Sequence, residues 1–145
     1  IGSSLVGSEM CIRDRVFSFC AAHQYGNEKW TEQENWDVFG KDTRVHGHNY
    51  TLHVTVTGQV NPDSGFLVDL GHLKKIVNTH VVDVLDHSQF DKDIPWFKGK
   101  QPSTEVLVTF IWEEITKRLE GCTLHRIRIE ETPTIYTDYY GPIDE

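Results

Sequence analysis

The segment His46–Gly58 limits the possible folds of this chain more than any other. Through its YTLHVTVTG core, β-branched and aromatic residues alternate with polar ones, and this period-two pattern predicts a long β-strand. Val16–His23 shows the same alternation and predicts a second strand. Each strand has one apolar face, so the pair needs a covering layer from elsewhere in the chain.

Two amphipathic helices supply that layer. Asp69 can cap a helix whose apolar residues recur at the helical period as far as Val84. A second helix is expected to begin near Ser103 and to end at Gly121, since its apolar stripe has the same period.

Two further strands are predicted at the end of the chain, Leu124–Glu131 and Ile135–Tyr140. The order strand, strand, helix, helix, strand, strand predicts an α+β fold: a four-stranded antiparallel sheet with both helices on one face. Such a sheet has two unpaired edges, which favour assembly with other copies of the chain. We therefore expect a homo-oligomer.

Length and composition exclude several classes of protein. The 145 residues suit one domain, and the net charge of −8 argues against a general nucleic-acid binder. No apolar run approaches the ~20 residues needed to cross a bilayer, so membrane insertion is not expected. Three cysteines without CxxC spacing argue against a disulfide framework, and we expect a cytoplasmic protein.

The first fifteen residues differ in character from the rest. The chain opens with Ile1, its only methionine is Met10, and residues 1–15 have weak periodicity. The string SLVGSEMCIRDR resembles translated sequencing-adapter read-through. Our hypothesis is that residues 1–15 are non-native and that residues 16–145 form a single domain. Resequencing the native locus tests this, and finding the segment in the genome would contradict it.

Three histidines have the spacing of a metal site. His46 and His48 are two residues apart at the start of a strand, so their side chains share one side of the pleat. His23 ends the preceding strand and can be brought beside them. Three imidazoles with an open fourth position are typical of catalytic zinc. Cys20 is three residues from His23, so we expect it to face the other side as a packed residue.

Two further features carry titratable groups. The Asp86-His87 step follows the first helix and gives an imidazole with a carboxylate close by, either an acid/base relay or an ordinary helix-end histidine. Glu130-Glu131 ends a strand, where a carboxylate can bind a guanidine-like edge or can simply be solvated.

The motifs FSFCAAHQY, HGHNY, GFLVDLGHLK, LDHSQF, PSTEVLVTFIW and RIEETP resemble, in the same order, those of the 6-pyruvoyltetrahydropterin and 6-carboxytetrahydropterin synthases. The resemblance covers nearly all of residues 16–141. It implies the tunnelling fold, in which subunits join their sheets into a barrel with active sites at subunit interfaces. The implied assembly is hexamer-like, with two stacked rings.

The resemblance also implies three groups of site residues: zinc ligands, an acid/base relay, and a pterin anchor with its pocket. The implied zinc ligands are His23, His46 and His48. The implied acid/base relay is Asp86 with His87, and the implied pterin anchor is Glu131, with Ser103 and Thr104 lining its pocket.

The sequence departs from this family at one catalytic position. Members of the carboxy type have a cysteine four residues before the first histidine of HGH, and this chain has Asp42 there. Aspartate, with an ordinary pKa of ~3.9, is a weaker base than a thiolate, for which the value is ~8.5. Burial could restore the basicity of Asp42.

The expected activity is a zinc-dependent lyase reaction on 7,8-dihydroneopterin triphosphate. The leading product is 6-carboxytetrahydropterin, for deazaguanine (queuosine-type) synthesis, or a related pterin. Asp42 favours an alternative, side-chain cleavage to 6-hydroxymethyl-dihydropterin for folate synthesis, because a related branch replaces the cysteine with glutamate. A third reading is a zinc- and pterin-binding protein that lost catalysis with the cysteine.

Overall fold

Five strands form one sheet in the computed structural model, which describes residues 10–143. They are β1 (Met10–His23), β2 (His46–Gln59), β3 (Ser88–Gln89), β4 (Thr123–Thr132) and β5 (Ile135–Tyr139), in the order β3-β1-β2-β4-β5. The four longer strands are antiparallel, as predicted, and β3 adds a fifth strand parallel to β1. The prediction of four strands therefore missed one, β3, because a two-residue strand is too short to show an alternating pattern in the sequence.

The described helices are α1 (Glu32–Phe39), α2 (Leu70–Val77), α3 (Asp83–Leu85), α4 (Phe90–Asp93) and α5 (Thr104–Thr116). The Asp69 carboxylate caps α2 by accepting from the N–H groups of Gly71 and His72, as predicted. A π-helical segment, Asn78–Val82, connects α2 to α3. Ser103 caps α5. Within residues 10–143, no helix is both long and apolar enough to cross a membrane.

The longer helices cover one face of the sheet. Their buried apolar side chains join those of the strands in a single cluster that includes Leu52, Val54, Val81, Ile111 and Ile127. Burial of such side chains removes apolar surface from water and holds the two layers together. Helix α5 ends at Thr116, five residues before the predicted end at Gly121, and Gly121 adopts a φ of +81° in the turn before β4.

Strand β1 begins earlier than the predicted Val16. Residues 10–15 continue the pairing with β2, with Met10 opposite Gln59 and Arg15 opposite Val54, since β2 extends far enough to provide partners. Residues 1–9 lie outside the described part of the chain. The native or non-native origin of residues 1–15 stays a prediction.

Strands β4 and β5 are joined by an ion pair on the outer face of the sheet. The Arg128 guanidinium donates to both carboxylate oxygens of Asp138, directly opposite on β5, at 2.7 and 2.9 Å. These hydrogen bonds hold the pKa of Asp138 below its ordinary value. The pair therefore stabilises the fold above the unfolded-state pKa, and this contribution is lost as the pH falls through the lower folded-state pKa.

We expect Asp138→Asn to lower the free energy of unfolding by about 1 kcal/mol at pH 7, a small value because water screens the partly exposed pair. Well below about pH 4, the difference between the variant and the wild type should shrink. Urea denaturation at several pH values measures both effects. Asp63→Asn, at an exposed turn position, is the control; an Asp138→Asn effect that does not change with pH would contradict this explanation.

Candidate metal centre and active site

The three predicted histidines converge. The pairing of β1 with β2 sets His23 opposite His46, and His48 follows His46 on the same face. One potential ligand atom from each ring lies within 4.8 Å of the others. The ring centroids are 4.5 Å apart for His23 and His46, and 5.3 and 5.4 Å from each of these to His48.

Backbone carbonyls orient two of the rings. His23 Nδ1 lies 2.7 Å from the carbonyl oxygen of Pro102, and His46 Nδ1 lies 2.8 Å from that of Arg44. A carbonyl only accepts, so each Nδ1 is the protonated nitrogen and each Nε2 keeps its lone pair. His23 is 1% exposed, and its Nε2 has no hydrogen-bond partner among the described residues. This buried lone pair fits a divalent cation.

The electrostatics of the cluster also suit a cation. Burial lowers the pKa of His23, and the neighbouring His46 and His48 lower it further, although the bond to Pro102 acts in the opposite direction. His23 is therefore neutral near pH 7 and needs no deprotonation before it binds a metal. Three imidazoles form a donor set that fits zinc with an open position.

Gly47 separates the two histidines of β2 for a steric reason. A Cβ built on this residue would lie 2.9 Å from the backbone oxygen of Ala21 on β1. The strands approach closely at the histidine cluster, and this contact explains the glycine in the HGH motif.

Glu131 borders the histidine cluster. Its Oε1 lies 3.8 Å from His48 Nε2 and accepts a 3.0 Å hydrogen bond from the hydroxyl of Thr104, the first residue of α5. The Ser103 hydroxyl instead accepts from the Val106 N–H as the helix cap. The structure thus brings Glu131 and Thr104 into contact, and it uses the side chain of Ser103 to start the helix that carries Thr104.

Asp86 and His87 form a hydrogen bond with each other. His87 Nδ1 lies 2.8 Å from Asp86 Oδ2, and the hydrogen bond from the Cys20 N–H is the main cause that lowers the pKa of Asp86. His87 has a φ of +62°, a strained backbone that its 2.6 Å hydrogen bond to the Cys20 carbonyl holds in place. The His87 side chain is 83% exposed. Among the described residues, neither side chain bonds to the three histidines.

Two other predicted positions are exposed. Cys20 faces away from His23 as expected, but it lies at the surface of the chain, so the prediction of a packed residue is wrong. Asp42 lies in the turn Gly40–Thr43 with its side chain 60% exposed, and its Oδ1 is 3.6 Å from His46 Nε2. The turn brings Asp42 to the histidine cluster without the burial that would strengthen it as a base.

Comparison with known proteins agrees with this fold and site. The sequence model of the family described as 6-pyruvoyl tetrahydropterin synthase matches residues 12–142. A 6-pyruvoyl tetrahydrobiopterin synthase of Poecilia reticulata is 37% identical over 129 residues, 88% of each chain. A 6-carboxy-5,6,7,8-tetrahydropterin synthase of Bacillus subtilis is 37% identical over 106 residues, 69% of this chain and 70% of that one. The structure of the Caenorhabditis elegans 6-pyruvoyl tetrahydropterin synthase is 36% identical, with a TM-score of 0.86 over 92% of this chain and 96% of that chain.

The fold and these matches define the class of protein as a tunnelling-fold pterin synthase, an enzyme of the lyase type. The chain belongs to the 6-pyruvoyl tetrahydropterin synthase family.

Two features of the site were not predicted from the sequence: the carbonyls of Pro102 and Arg44, which orient His23 and His46. The Pro102 carbonyl lies 79 residues beyond His23 in the sequence, and no sequence pattern connects the two residues.

Proposed function

We propose that the protein is a zinc-dependent lyase that converts 7,8-dihydroneopterin triphosphate into a tetrahydropterin. The observation that carries this proposal is the buried Nε2 of His23, which no described residue partners, beside His46 and His48 and with the Glu131 carboxylate at the same site. The similarity to pyruvoyl-type synthases over 88% of the chain supports 6-pyruvoyltetrahydropterin as a product beside the 6-carboxytetrahydropterin of the deazaguanine route.

The residues divide the chemical tasks. Glu131, held by Thr104, accepts hydrogen bonds from the amino-pyrimidine edge of the pterin. Zinc, when bound by the three histidines, would polarise the side-chain hydroxyls of the substrate and lower their pKa. Asp42 at the metal site, or His87 oriented by Asp86, accepts the proton removed from the side chain.

The position of His87 supports an active site shared between subunits. Its Nδ1 is taken by Asp86, and its exposed ring leaves Nε2 free to act in a neighbouring copy. Within residues 10–143, the sheet edges at β5 and along most of β1 are unpaired, which supports the same homo-oligomer, hexamer-like with two stacked rings.

The exposed carboxylate of Asp42 favours a second candidate, cleavage of the side chain to 6-hydroxymethyl-dihydropterin. A non-catalytic zinc- and pterin-binding protein is the third. These two candidates use the same site as the main proposal and differ from it only in what happens to the bound substrate.

Product analysis tests these proposals. Zinc-loaded protein should consume 7,8-dihydroneopterin triphosphate, while the chelated protein should not, and chromatography identifies the product. Binding without turnover, together with activity gained by Asp42→Cys, would support the non-catalytic protein. Zinc-loaded wild type that neither binds nor consumes the substrate would contradict the proposed function.

A further inference from the structure

Asp42 lies close enough to the histidine cluster to reach a metal bound there. Its Oδ1 is 3.6 Å from Nε2 of His46, the nitrogen that keeps its lone pair because Nδ1 bonds to the Arg44 carbonyl. Zinc bonds of about 2.0–2.2 Å to nitrogen and oxygen set neighbouring ligand atoms about 3.4 Å apart in a tetrahedral site. The observed distance is therefore close to the one that separates two ligands of the same ion.

The turn that carries Asp42 is fixed to the end of the strand that carries His23. The Asp42 carbonyl accepts a 3.0 Å hydrogen bond from the Tyr25 N–H. The side-chain amide of Gln24 donates to the Thr43 carbonyl at 2.8 Å. Both donors come from the two residues that follow His23, so these bonds hold the backbone of Asp42 beside the cluster. Rotation of its short side chain then decides where the carboxylate points.

The Asp42 carboxylate is free to make that rotation. Its side chain is 60% exposed, and among residues 10–143 no hydrogen bond holds either of its oxygens. The carboxylate stands beside the three mutually close ligand atoms of the histidines and is not one of that set. A rotation about the Cα–Cβ bond can carry an oxygen toward them without breaking a hydrogen bond to any described residue.

Glu131 is the other carboxylate at the cluster, and it is less free to bind an ion. Its Oε1 is 3.8 Å from His48 Nε2, a longer distance than the one between Asp42 and His46. The same oxygen already accepts the hydrogen bond from the Thr104 hydroxyl, which a turn toward the metal would strain. Asp42 is therefore the carboxylate better placed to complete the coordination of a cation.

We infer that Asp42 is the fourth ligand of the metal in the substrate-free protein, and that the side-chain hydroxyls of the pterin displace it. This role rests on the proposed function. The site would then have four protein ligands at rest and an open position only for the substrate. The carboxylate released by this exchange lies beside the substrate side chain, where it can accept a proton.

A competition titration with a chromophoric chelator measures the zinc affinity of the substrate-free protein. Asp42→Asn keeps the shape of the side chain and removes its charge. We expect its zinc affinity to fall at least about tenfold, the smallest loss typical of residues that only support a ligand. Asp37→Asn neutralises an exposed aspartate on the neighbouring helix α1 as the matched control, and it should bind zinc like the wild type.

Cobalt(II) distinguishes a bonded ligand from a charge that is merely near, because its absorption spectrum reports the atoms bonded to it. A thiol that coordinates a metal is deprotonated, so cobalt-loaded Asp42→Cys should show a thiolate-to-cobalt charge-transfer band. Neopterin, which has the side-chain hydroxyls without the triphosphate, should bind zinc-loaded Asp42→Asn more tightly than the wild type. The reason is that no carboxylate has to leave first.

Four results would overturn the inference and leave the proposed function intact. They are equal zinc affinity of wild type and Asp42→Asn, no charge-transfer band in folded, cobalt-loaded Asp42→Cys, weaker neopterin binding by Asp42→Asn, and a loss of zinc affinity in Glu131→Gln alone. A wild-type protein that binds neither zinc nor cobalt would overturn the proposed function and this inference with it.

Discussion

Replacing His46 with alanine is expected to remove the metal from the protein and to lower kcat/KM by at least about a thousandfold, because a catalytic cation contributes several kcal/mol to the transition state. His23 and His48 would remain, but two imidazoles hold zinc far less tightly than three. The fold should survive, since His46 is half-buried at the start of β2 and lies outside the apolar cluster.

Metal analysis of the washed protein measures this outcome together with the turnover assay. His72→Ala is the matched control, because His72 lies exposed on α2, and it should keep wild-type zinc and activity. A His46→Ala protein that retains full zinc and full activity would show that the cluster is not the catalytic metal site.

Replacing Gly47 with alanine should damage the site without changing any ligand. The added Cβ would lie 2.9 Å from the Ala21 backbone oxygen, closer than a carbon and a carbonyl tolerate, so β1 and β2 must separate. We expect a loss of about 2 kcal/mol in the free energy of unfolding, within the range for overpacking, and weaker zinc binding because His23 and His46 move apart.

Chemical denaturation of the metal-free protein and zinc titration measure these two effects separately. Gly26→Ala is the control, because a Cβ there meets no atom within 4 Å, and it should leave both unchanged. If Gly47→Ala binds zinc and unfolds like the wild type, the close approach of the strands does not explain the glycine.

The sequence pattern predicted the four long strands, their order relative to α2 and α5, the Asp69 cap of α2 and the start of α5 near Ser103. These features follow from local periodicity and capping, which nearby residues carry. Strand β3 and the early start of β1 escaped prediction because each exists through its partner: β3 pairs with only two residues of β1, and residues 10–15 pair with the end of β2.

For the candidate metal site too, local spacing predicted some features and only the folded chain showed the others. Spacing placed His46 and His48 on one face, and the strand end at His23 suggested the third ligand. The family resemblance, and not the spacing, identified Asp42 as a candidate. The structure shows its side chain exposed, so burial within the chain does not strengthen it as a base. The folded chain was also needed to show that Asp86 bonds to His87 and that, among the described residues, neither side chain bonds to the three histidines.

The sequence by itself determined which side chains share a strand face and where helices begin, since these depend on neighbours along the chain. Only the tertiary structure decided that His23 Nδ1 bonds to Pro102, which leaves Nε2 for a metal, and that Thr104 holds Glu131. The reason is physical: hydrogen bonds between residues 27 to 79 positions apart depend on register and packing, and the local pattern of residues does not specify either.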